Sequence, residues 1–398
     1  MIPSEELLTY VWAHRAEDVR VLALRSKEAP RGFTISQALS AIQARQKLAI
    51  KHPKWASVRE VFVPEPVIVE QSSGSETSEY KLRFIEPHWH ILDLSGGMGA
   101  DSYAFAQKAR GITYLDASPE RASLAAHNFQ ALGIENITCH SGRAEERGIE
   151  LAKELQPQLI YLDPDRRPGT TGRVFLIEEC TPDITTLLPK LQEVAPQSHF
   201  LIKLSPMADL AYLRGRLPLD FDIHVIGLRR EAKELLLHIH PDAHNRTTAV
   251  EIQAHSTLSH TTKEIPPKPT PISPEIGTYI HDLYPAFSKV GYDTFALPFE
   301  VWQPAPHTHL YFSTTEIADF PGRTFTVLEH NLGEKRWLRQ VTQKPLHLIS
   351  KNLPTSTDQL RRQLRITEGG THFLIAYADN SGKRHFLLAT STTTDKII

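Results

Sequence analysis

A loop of small residues follows an apolar run that ends in an acid, Asp93, within LDLSGGMGADSYAFA. A segment with helical spacing comes next, and four small residues precede it: Ser95, Gly96, Gly97 and Gly99. Small side chains let a ligand approach the unpaired N–H groups at the start of a helix. Dinucleotide-binding folds use G-x-G-x-x-G there, but Ser102 replaces the third glycine of the best alignment. The carboxylate of Asp93 would repel a diphosphate, so it favours a ligand with a cationic amino-acid group.

A second acid, Asp116, closes the next apolar run in ITYLDASPE. An acid about 20 residues after a glycine loop, at the end of a strand, supplies an acceptor for ribose hydroxyls. The alternative is a helix cap, since Asp116 or Ser118 could cap a helix that starts at Pro119. Because the strand end and the glycine loop agree, the sequence predicts that Asp116 binds a ribose.

The spacing acid-x-small-x-Gly-x-Gly resembles motif I of the class I S-adenosylmethionine (SAM) methyltransferases, with Ser95 at its first glycine position. The resemblance covers about residues 81–256 and implies that SAM is the cofactor. In this family the turn after the third strand contacts the adenine. In CHSGRAEE, Arg143 stands where an acid is common and Glu145 follows; solvated loop charges are the alternative. The cofactor-binding residues implied in this way are Asp93, Ser95, Gly96, Gly97, Gly99, Asp101, Asp116, Ala117, Arg143, Ala144 and Glu145.

The fourth apolar run ends in YLDPDRRP, which resembles the D/N-P-P-Y/F/R motif of methyltransferases that act on exocyclic amines. The lone pair of a nucleobase amine belongs to the ring π system, so the nitrogen is a poor nucleophile. An oxygen of Asp163 and a backbone carbonyl held by Pro164 would accept its N–H groups as the nitrogen becomes tetrahedral. Asp165 stands at the second proline, and Arg166 stands at the aromatic that stacks on the base, which a guanidinium plane can also do. The alternative is an Asp-Pro turn with solvated arginines.

The sequence favours neither thiol nor metal chemistry. Methyltransferases that make 5-methylpyrimidines need a cysteine nucleophile after the fourth or fifth strand, where this chain has DPDRR and KLSP. Its two cysteines, Cys139 and Cys180, are expected to be packing residues. His238 and His240 lie two apart on a strand, with no carboxylate or cysteine at matching spacing, so no metal site is predicted.

Four further charged residues are candidates for contact with a substrate. Lys203 ends the fifth apolar run at the sheet edge that holds Asp163, and Glu234 follows a turn. Strand-end and turn charges that reach solvent are the alternative. Arg45 and Lys51 belong to a basic helix with an aromatic neighbour, a combination that suits either an RNA strand or a solvated helical face.

From about residue 81 onward, short β runs alternate with amphipathic stretches, and these elements must position the residues described above. The β runs lie at 90–95, 111–116, 136–141, 159–165 and 199–206. This alternation predicts an α/β fold with a doubly wound, mostly parallel sheet, for which the resemblance implies seven strands. DIHVIGL, KELLLHIH and TAVEIQAH follow without a helix between them, so we expect them to form an antiparallel edge. Since parallel strands end at one edge of a sheet, the loops that carry the acids should meet there.

The segments before and after this sheet have less regular sequence patterns. Residues 1–57 favour helices, including one over Ser36–Lys51. VREVFVPEPVIVEQ favours short extended pieces, and residues 72–80 favour a polar loop. Residues 265–274 are rich in proline and are typical of a linker, and the following TYIHDLYPAFSKVG favours a helix.

The whole chain resembles a bacterial family in which a class I methyltransferase domain precedes a small ferredoxin-like domain and a THUMP-like domain, an RNA-binding module. TFTVLEHN, DQLRRQLRITEGGTHFLIA and the terminal hairpin carry this resemblance. It implies an N-terminal helical region and small α+β C-terminal domains. Arg361, Arg362 and Arg365 would form a phosphate-binding patch in the last domain, unless that domain is purely structural. The predicted domain ranges are 1–80, 81–262, 263–322 and 323–398.

Length and charge limit the remaining possibilities. A chain of 398 residues exceeds the size of one core, ~250–300 residues, so several domains are expected. Its net charge of -2 gives no overall attraction to nucleic acid, so binding to RNA must use local patches. The N-terminus carries acids where a signal peptide is basic, and no run approaches the ~20 apolar residues of a membrane span, so a cytoplasmic protein is expected.

The sequence therefore supports three functions. The first is a SAM-dependent methyltransferase that modifies an exocyclic amine of a base in structured RNA, either rRNA or tRNA. The second is a small-molecule or protein methyltransferase with structural extra domains. The third is a non-catalytic RNA-binding protein that retains SAM.

Overall fold

The structure is a computed structural model, and it describes residues 2–25, 32–166, 175–254, 256–262, 271–273, 275–291, 299–306 and 308–392. Its α-helices are α1 (Glu5–His14), α2 (Val19–Arg25), α3 (Ile35–Lys51), α4 (Pro53–Ala56), α5 (Pro66–Gln71), α6 (Ser75–Lys81), α7 (Ala100–Ala106), α8 (Pro119–Ala131), α9 (Ile149–Leu155), α10 (Ile184–Val194), α11 (Leu210–Arg216), α12 (Pro285–Val290), α13 (Lys335–Val341) and α14 (Thr357–Leu364).

The strands of the larger sheet are β1 (His90–Asp93), β2 (Gly111–Asp116), β3 (Ile137–Ser141), β4 (Leu159–Leu162), β7 (His199–Leu204), β8 (Asp222–Leu228), β9 (Glu231–Ile239), β10 (Thr247–Ile252) and β11 (Thr257–Thr262). The short strands β5 (Asp165–Arg166) and β6 (Cys180–Thr181) pair with each other. The strands of the second sheet are β12 (Tyr279–Leu283), β13 (Leu310–Ser313), β14 (Gly322–Asn331), β15 (His347–Lys351), β16 (His372–Ala378) and β17 (Arg384–Ser391).

The larger sheet confirms the predicted doubly wound class. Its order is β11-β10-β8-β9-β7-β4-β1-β2-β3; the pairs from β3 to β7 are parallel, and β9 runs antiparallel to β7. The described residues give nine strands rather than the seven that the resemblance implies, because β10, predicted as part of the antiparallel edge, and β11, which was not predicted, extend the sheet beyond β8. Strand β11 is almost fully exposed and rich in threonine, so it lacks the apolar pattern that reveals a buried strand.

The central strands of this sheet are apolar and buried, and their polar residues come at their carboxyl ends. β4 is buried along its whole length, and β7 is buried from its second residue onward. Asp93 ends β1, Asp116 ends β2, and Asp163 follows β4 directly. Since these strands are parallel neighbours, their ends place the three carboxylates along one edge of the sheet.

Three segments differ from the sequence prediction. The expected extended piece at Pro66–Gln71 is the helix α5, in which Pro66 occupies a first-turn position that needs no N–H donor. The expected polar loop at 72–80 is largely the helix α6, which ends at Lys81 and whose buried residues include Thr77 and Lys81. Polar residues on a buried face give no hydrophobic periodicity, which explains this error. The expected helix after the linker is instead the strand β12 followed by α12.

The C-terminal sheet has the order β13-β12-β14-β17-β16-β15 within the described residues. One face packs around Phe325 and Ile375, and the other around Leu348 and Leu374. β12 pairs with β14, so residues on both sides of the predicted boundary at 322/323 share one sheet. Most of the predicted linker, 265–274, lies outside the described residues.

The chain forms two compact units. The first contains Met1–His224 and Glu234–Asn245, and the second contains Val225–Lys233 and Arg246–Ile398. The N-terminal helices therefore belong to the same unit as the parallel strands. The predicted domain ranges follow other criteria and stay predictions.

Candidate active site

A cavity of about 330 Å³ lies at the carboxyl ends of β1, β2 and β4, within the first unit. It is lined by all of the residues predicted to bind the cofactor and by two of the predicted catalytic residues: Asp93, Ser95, Gly96, Gly97, Gly99, Asp101, Asp116, Ala117, Arg143, Ala144, Glu145, Asp163 and Asp165. Ile68 and Ser73, from the N-terminal region, also line it and were not predicted. The roles assigned to these side chains stay predictions.

The glycines of the loop are needed largely because the protein's own aromatic rings occupy the space beside them. A Cβ on Gly96 would lie 2.0 Å from Cε2 of Tyr114, and a Cβ on Gly99 would lie 2.4 Å from Cζ of Phe129. Gly97 has no such close neighbour, but its φ of 54° lies in the left-handed region. Gly96 and Gly99 therefore make room for rings of the protein itself, and the expectation that their small size also admits a ligand stays a prediction.

Asp93 is buried beneath this loop and fixes its start. Its carboxylate accepts the N–H of Ser95 at 3.0 Å and the hydroxyl of Ser102 at 2.6 Å. Burial raises the pKa of Asp93 to about 7, although both hydrogen bonds lower it. Ser102, which breaks the dinucleotide pattern, thus has a specific role as a donor to this acid.

Asp116 links the glycine loop to the start of α8. Its Oδ2 accepts a hydrogen bond from the N–H of Gly97 at 3.0 Å, and its Oδ1 accepts one from the Nε–H of Arg121 at 2.9 Å. Ser118, not Asp116, caps α8. The capping alternative is therefore assigned to Ser118, and the carboxylate of Asp116 remains on the cavity wall.

Asp163 is held from two sides at the end of β4. Its N–H donates to Oγ of Ser95 at 2.5 Å, and its Oδ2 lies 2.6 Å from Nζ of Lys203. Burial raises the pKa of Asp163 to about 6, while the Lys203 cation opposes this shift. Burial alone would lower the pKa of Lys203, but the surrounding carboxylates, Asp163 first, raise it above the usual range. Lys203 is thus a stable cation.

A fully buried lysine, Lys81, connects the N-terminal helices to this site. Its Nζ lies 2.8 Å from Oδ1 of Asp101 and 2.7 Å from Oε2 of Glu234, and it donates to Oγ of Ser73 at 2.8 Å. Glu234 also accepts the hydroxyl of Thr77 at 2.8 Å. Glu234, predicted to contact substrate, is therefore a buried partner of Lys81.

Asp101 is the acceptor at the centre of the same group. Besides Lys81, it accepts hydroxyls of Ser73, Ser78 and Tyr161 at 2.9, 2.7 and 2.6 Å. Burial alone would raise the pKa of Asp101, but the lysine cations hold it well below its usual range. These serines and Lys81 lie in a segment that gave no sequence signal because its buried side chains are polar.

The residues that follow Asp163 take part in a small antiparallel β ladder. Pro164 is buried, and Asp165 pairs with Thr181 through the β5–β6 bridge. The guanidinium of Arg166 lies 3.2 Å from a carboxylate oxygen of Glu179. Stacking of Arg166 on a base remains a prediction and would have to coexist with this ion pair.

Of the two RNA contacts predicted on the basic helix α3, Arg45 is buried and Lys51 is half-buried. Arg45 is buried and donates to the carbonyl of Val61 at 3.1 Å. Lys51 donates from Nζ to the carbonyls of Val69 and Glu70, each at 2.8 Å. Both side chains tie α3 to the chain that follows it. The burial of Arg45 corrects the prediction that it meets a substrate, whereas for Lys51 that contact stays a prediction.

The predicted basic patch of α14 is largely engaged within its own helix and the loop beyond. Arg361 pairs with Asp358 at 2.8 Å and with Glu368 at 3.1 Å. Arg362 donates from Nε to the carbonyl of Asp358 at 3.3 Å, and Arg365 ends the helix with a φ of 55°. A phosphate at this patch would therefore compete with contacts inside the protein.

Neither thiol is placed for nucleophilic chemistry. Cys180 is buried, and burial raises the pKa of Cys139 to about 12. Over the part of the chain that the structure describes, no three His, Cys, Asp or Glu side chains come together as metal ligands. The helices described also include none with the length and apolar character of a membrane span.

Comparison with known proteins supports two parts of the predicted resemblance, the methyltransferase fold and the THUMP-like domain. Residues 322–391 match the family model described as THUMP domain-like. A solved structure of a candidate methyltransferase from Porphyromonas gingivalis W83 aligns with 99% of this chain and 100% of its own, at 27% identity and a TM-score of 0.82.

Curated relatives match shorter stretches. An uncharacterized RNA methyltransferase of Streptococcus pneumoniae (strain ATCC BAA-255 / R6) is 26% identical over 152 residues, 37% of this chain and 32% of that protein. The 23S rRNA (uracil(747)-C(5))-methyltransferase of Proteus mirabilis is 33% identical over 79 residues, 20% of each chain. The chain thus spans about a third or less of the length of these two relatives. Two parts of the predicted resemblance are confirmed, because the chain combines a class I methyltransferase fold with a THUMP-like domain at residues 322–391; the ferredoxin-like domain stays a prediction.

Proposed function

We propose that this protein is a SAM-dependent methyltransferase that modifies an exocyclic amine of a base in structured RNA. The main support is the cavity in which the glycine loop, Asp116 and Asp163 meet at neighbouring strand ends. The names of the curated relatives and the THUMP-like domain support RNA as the substrate class.

The residues on the cavity wall fit the proposed cofactor. Asp116 would accept the ribose hydroxyls, because its Oδ2 uses only one hydrogen bond to Gly97 within the protein. Asp93 places a carboxylate under the loop, where it would favour the cationic end of SAM over a diphosphate. When bound, SAM supplies a methyl group on a sulfonium, which is an electrophile.

The arrangement around Asp163 would favour attack by an amine nitrogen. Lys203 holds Oδ2, so Oδ1 is the oxygen left to accept an N–H of the base. Ser95 fixes the backbone N–H of Asp163, which keeps the carboxylate aligned with the glycine loop. As the nitrogen gains the methyl group it becomes cationic, and its proton would pass to Oδ1 or to water. The protein thus positions the amine and stabilises its developing charge.

The cysteines of this chain argue against methylation of uracil C5, the activity that the name of the Proteus relative states. Such a reaction needs a thiolate that adds to the pyrimidine ring. The chain has two cysteines, of which Cys180 is buried and Cys139 has a strongly raised pKa. Neither lines the cavity as the structure describes it. An exocyclic amine therefore suits the site better than a ring carbon.

The test is transfer of labelled methyl groups from SAM to unmodified rRNA and tRNA transcripts, followed by identification of the methylated nucleoside by mass spectrometry. Asp163→Ala should lower kcat about 10²–10³-fold while SAM affinity stays unchanged, since only the amine loses its acceptor. Asp163→Asn should retain part of the activity because its amide oxygen still accepts an N–H. Asp116→Ala should instead weaken SAM binding.

Glu154→Gln, on the exposed side of α9, is the control and should leave both quantities unchanged. A methyl group on a pyrimidine C5 would contradict the amine assignment. Incorporation into a protein or small molecule but not into RNA would favour the second hypothesis. SAM binding without any methyl transfer, in wild type and Asp163→Ala alike, would favour a non-catalytic RNA-binding protein.

A further inference from the structure

A second cavity, of about 200 Å³, lies within the C-terminal unit and brings basic side chains together from three elements. Arg230 comes from the turn between β8 and β9, Arg323 from β14, and Lys351 from β15. Asp282 of β12 is the acidic residue on its wall. Three cations around one carboxylate leave a positive excess that nothing in the proposed methyl-transfer site uses.

Asp282 holds two of these cations in place. Its side chain is 8% exposed, and its oxygens lie 2.5 Å from Nη2 of Arg323 and 2.8 Å from Nζ of Lys351. Burial alone would raise the pKa of Asp282, but Lys351 and Arg323 lower it, so the carboxylate stays charged. It balances one of the three positive charges on the cavity wall, so the residues that line the cavity keep a positive excess. Because Arg323 and Lys351 remain 18% and 26% exposed, their remaining donors can still reach a ligand.

Arg230 is presented by an unusual turn. Arg229 and Arg230 alone connect β8 to β9, with φ values of 53° and 63°. Two-residue hairpin turns with positive φ normally use asparagine and glycine, because larger side chains strain the left-handed backbone. The N–H of Arg230 donates to Oε1 of Glu251 at 2.8 Å, which anchors the turn, while the residue itself is exposed. Strained residues that persist in this way are typical of functional positions.

Hydroxyl groups complete the cavity wall. Ser350 and Thr357 line it, and their oxygens are 2.6 Å apart. Guanidinium, ammonium and hydroxyl donors around one space are the combination that binds phosphate, since arginine offers paired N–H groups and lysine a point charge.

We propose that this cavity binds a phosphate group. The phosphate belongs either to the backbone of an RNA substrate or to a free phosphate-bearing ligand. Only the RNA source rests on the proposed function; the cavity's preference for an anion depends on its own charges. This location differs from the α14 patch predicted from the sequence, where Arg361 and Arg362 are engaged within the protein.

The experiment compares Arg230→Gln and Lys351→Gln with Arg339→Gln, which removes one charge from the exposed face of α13. A fluorescein-labelled 20-nucleotide RNA hairpin serves as the RNA probe, with Kd measured by anisotropy between 50 and 200 mM salt. Loss of one phosphate contact should weaken binding roughly five- to tenfold near 0.1 M salt and lower the slope of log K against log[salt] by about 0.9. Arg339→Gln should change neither quantity.

A second arm follows the melting temperature with inorganic phosphate against chloride at equal ionic strength. Melting without ligand also verifies that each variant is folded. A smaller salt slope in both cavity variants supports RNA phosphate, while loss of only the phosphate-induced stabilisation supports a free phosphate ligand. Folded cavity variants that match Arg339→Gln in both arms would overturn the proposal. SAM binding is measured on the same samples, so its absence would reject the methyltransferase proposal without touching the phosphate site.

Discussion

At the scale of single residues, the protonation of Asp163 should set the acidic limit of activity. Its pKa is raised to about 6 by burial, so the carboxylate that accepts an amine N–H is present above this pH and is lost as pH falls through it. Removing the Lys203 cation removes the main opposing influence. We expect Lys203→Met to move the acidic limb of kcat/KM to higher pH by about one unit or more, as measured from pH 5 to 9.

Lys153→Met, an exposed change of the same chemical type, should leave that limb in place. Lys203→Arg should restore part of the wild-type profile, because a guanidinium can still face Oδ2. A profile in Lys203→Met that keeps the wild-type midpoint, in a variant with unchanged melting temperature, would show that Asp163 does not control the reaction.

The glycine loop offers a paired test of its steric explanation. Gly97 and Gly99 both have positive φ, 54° and 87°, so alanine strains the backbone at each. Only at Gly99 would the new methyl group meet a ring, that of Phe129. Gly97→Ala should cost roughly 1–2 kcal/mol of unfolding free energy, and Gly99→Ala clearly more, in urea titrations. Equal losses would contradict the ring-contact explanation.

At the scale of elements, the helix α6 carries the least predictable part of the site. Lys81 faces both Asp101 and Glu234 inside the protein, so Lys81→Met leaves two buried carboxylates without their shared cation. This change should lower the unfolding free energy by about 3–5 kcal/mol at pH 7. The measurement is urea unfolding, and the exposed Lys153→Met should stay within about 0.5 kcal/mol of wild type.

The pH dependence of this loss identifies its cause. The pKa of Asp101 is lowered in the folded protein, so its ion pair contributes fully above the unfolded pKa, ~3.9, and less as pH falls below it. The difference between wild type and Lys81→Met should therefore shrink toward pH 3. A constant difference would indicate lost packing of the lysine stem instead.

The contrast between α6 and the strands shows what the sequence can reveal. Runs such as LIYL and HFLIKL are apolar because both faces of the central strands are buried, so these strands could be predicted, together with charged residues such as Asp163 and Lys203 near their ends. In α6 the buried face consists of residues such as Thr77 and Lys81, which are satisfied by partners far along the chain. Because no local sequence pattern indicates such distant partners, the roles of Ser73 and Lys81 could not be predicted.

At the scale of the whole molecule, the extent of the C-terminal fold can be tested with fragments. The sequence places a domain boundary at 322/323, yet β12 pairs with β14 and the core around Phe325 includes Ile280 and Phe312. A fragment of residues 323–392 would lose these side chains and expose β14 as an unpaired edge. We expect it to be unfolded or aggregated.

The matched fragment, residues 271–392, keeps the six strands that the structure describes in this sheet. It should show a cooperative thermal transition by circular dichroism and elute as a compact species in size-exclusion chromatography, whereas 323–392 should show neither. The physical reason is that a sheet buries its core only when strands on both sides of β14 are present. A folded, cooperative 323–392 fragment would instead establish the sequence boundary as a domain boundary and would make β12 and β13 an addition to an independent THUMP-like unit.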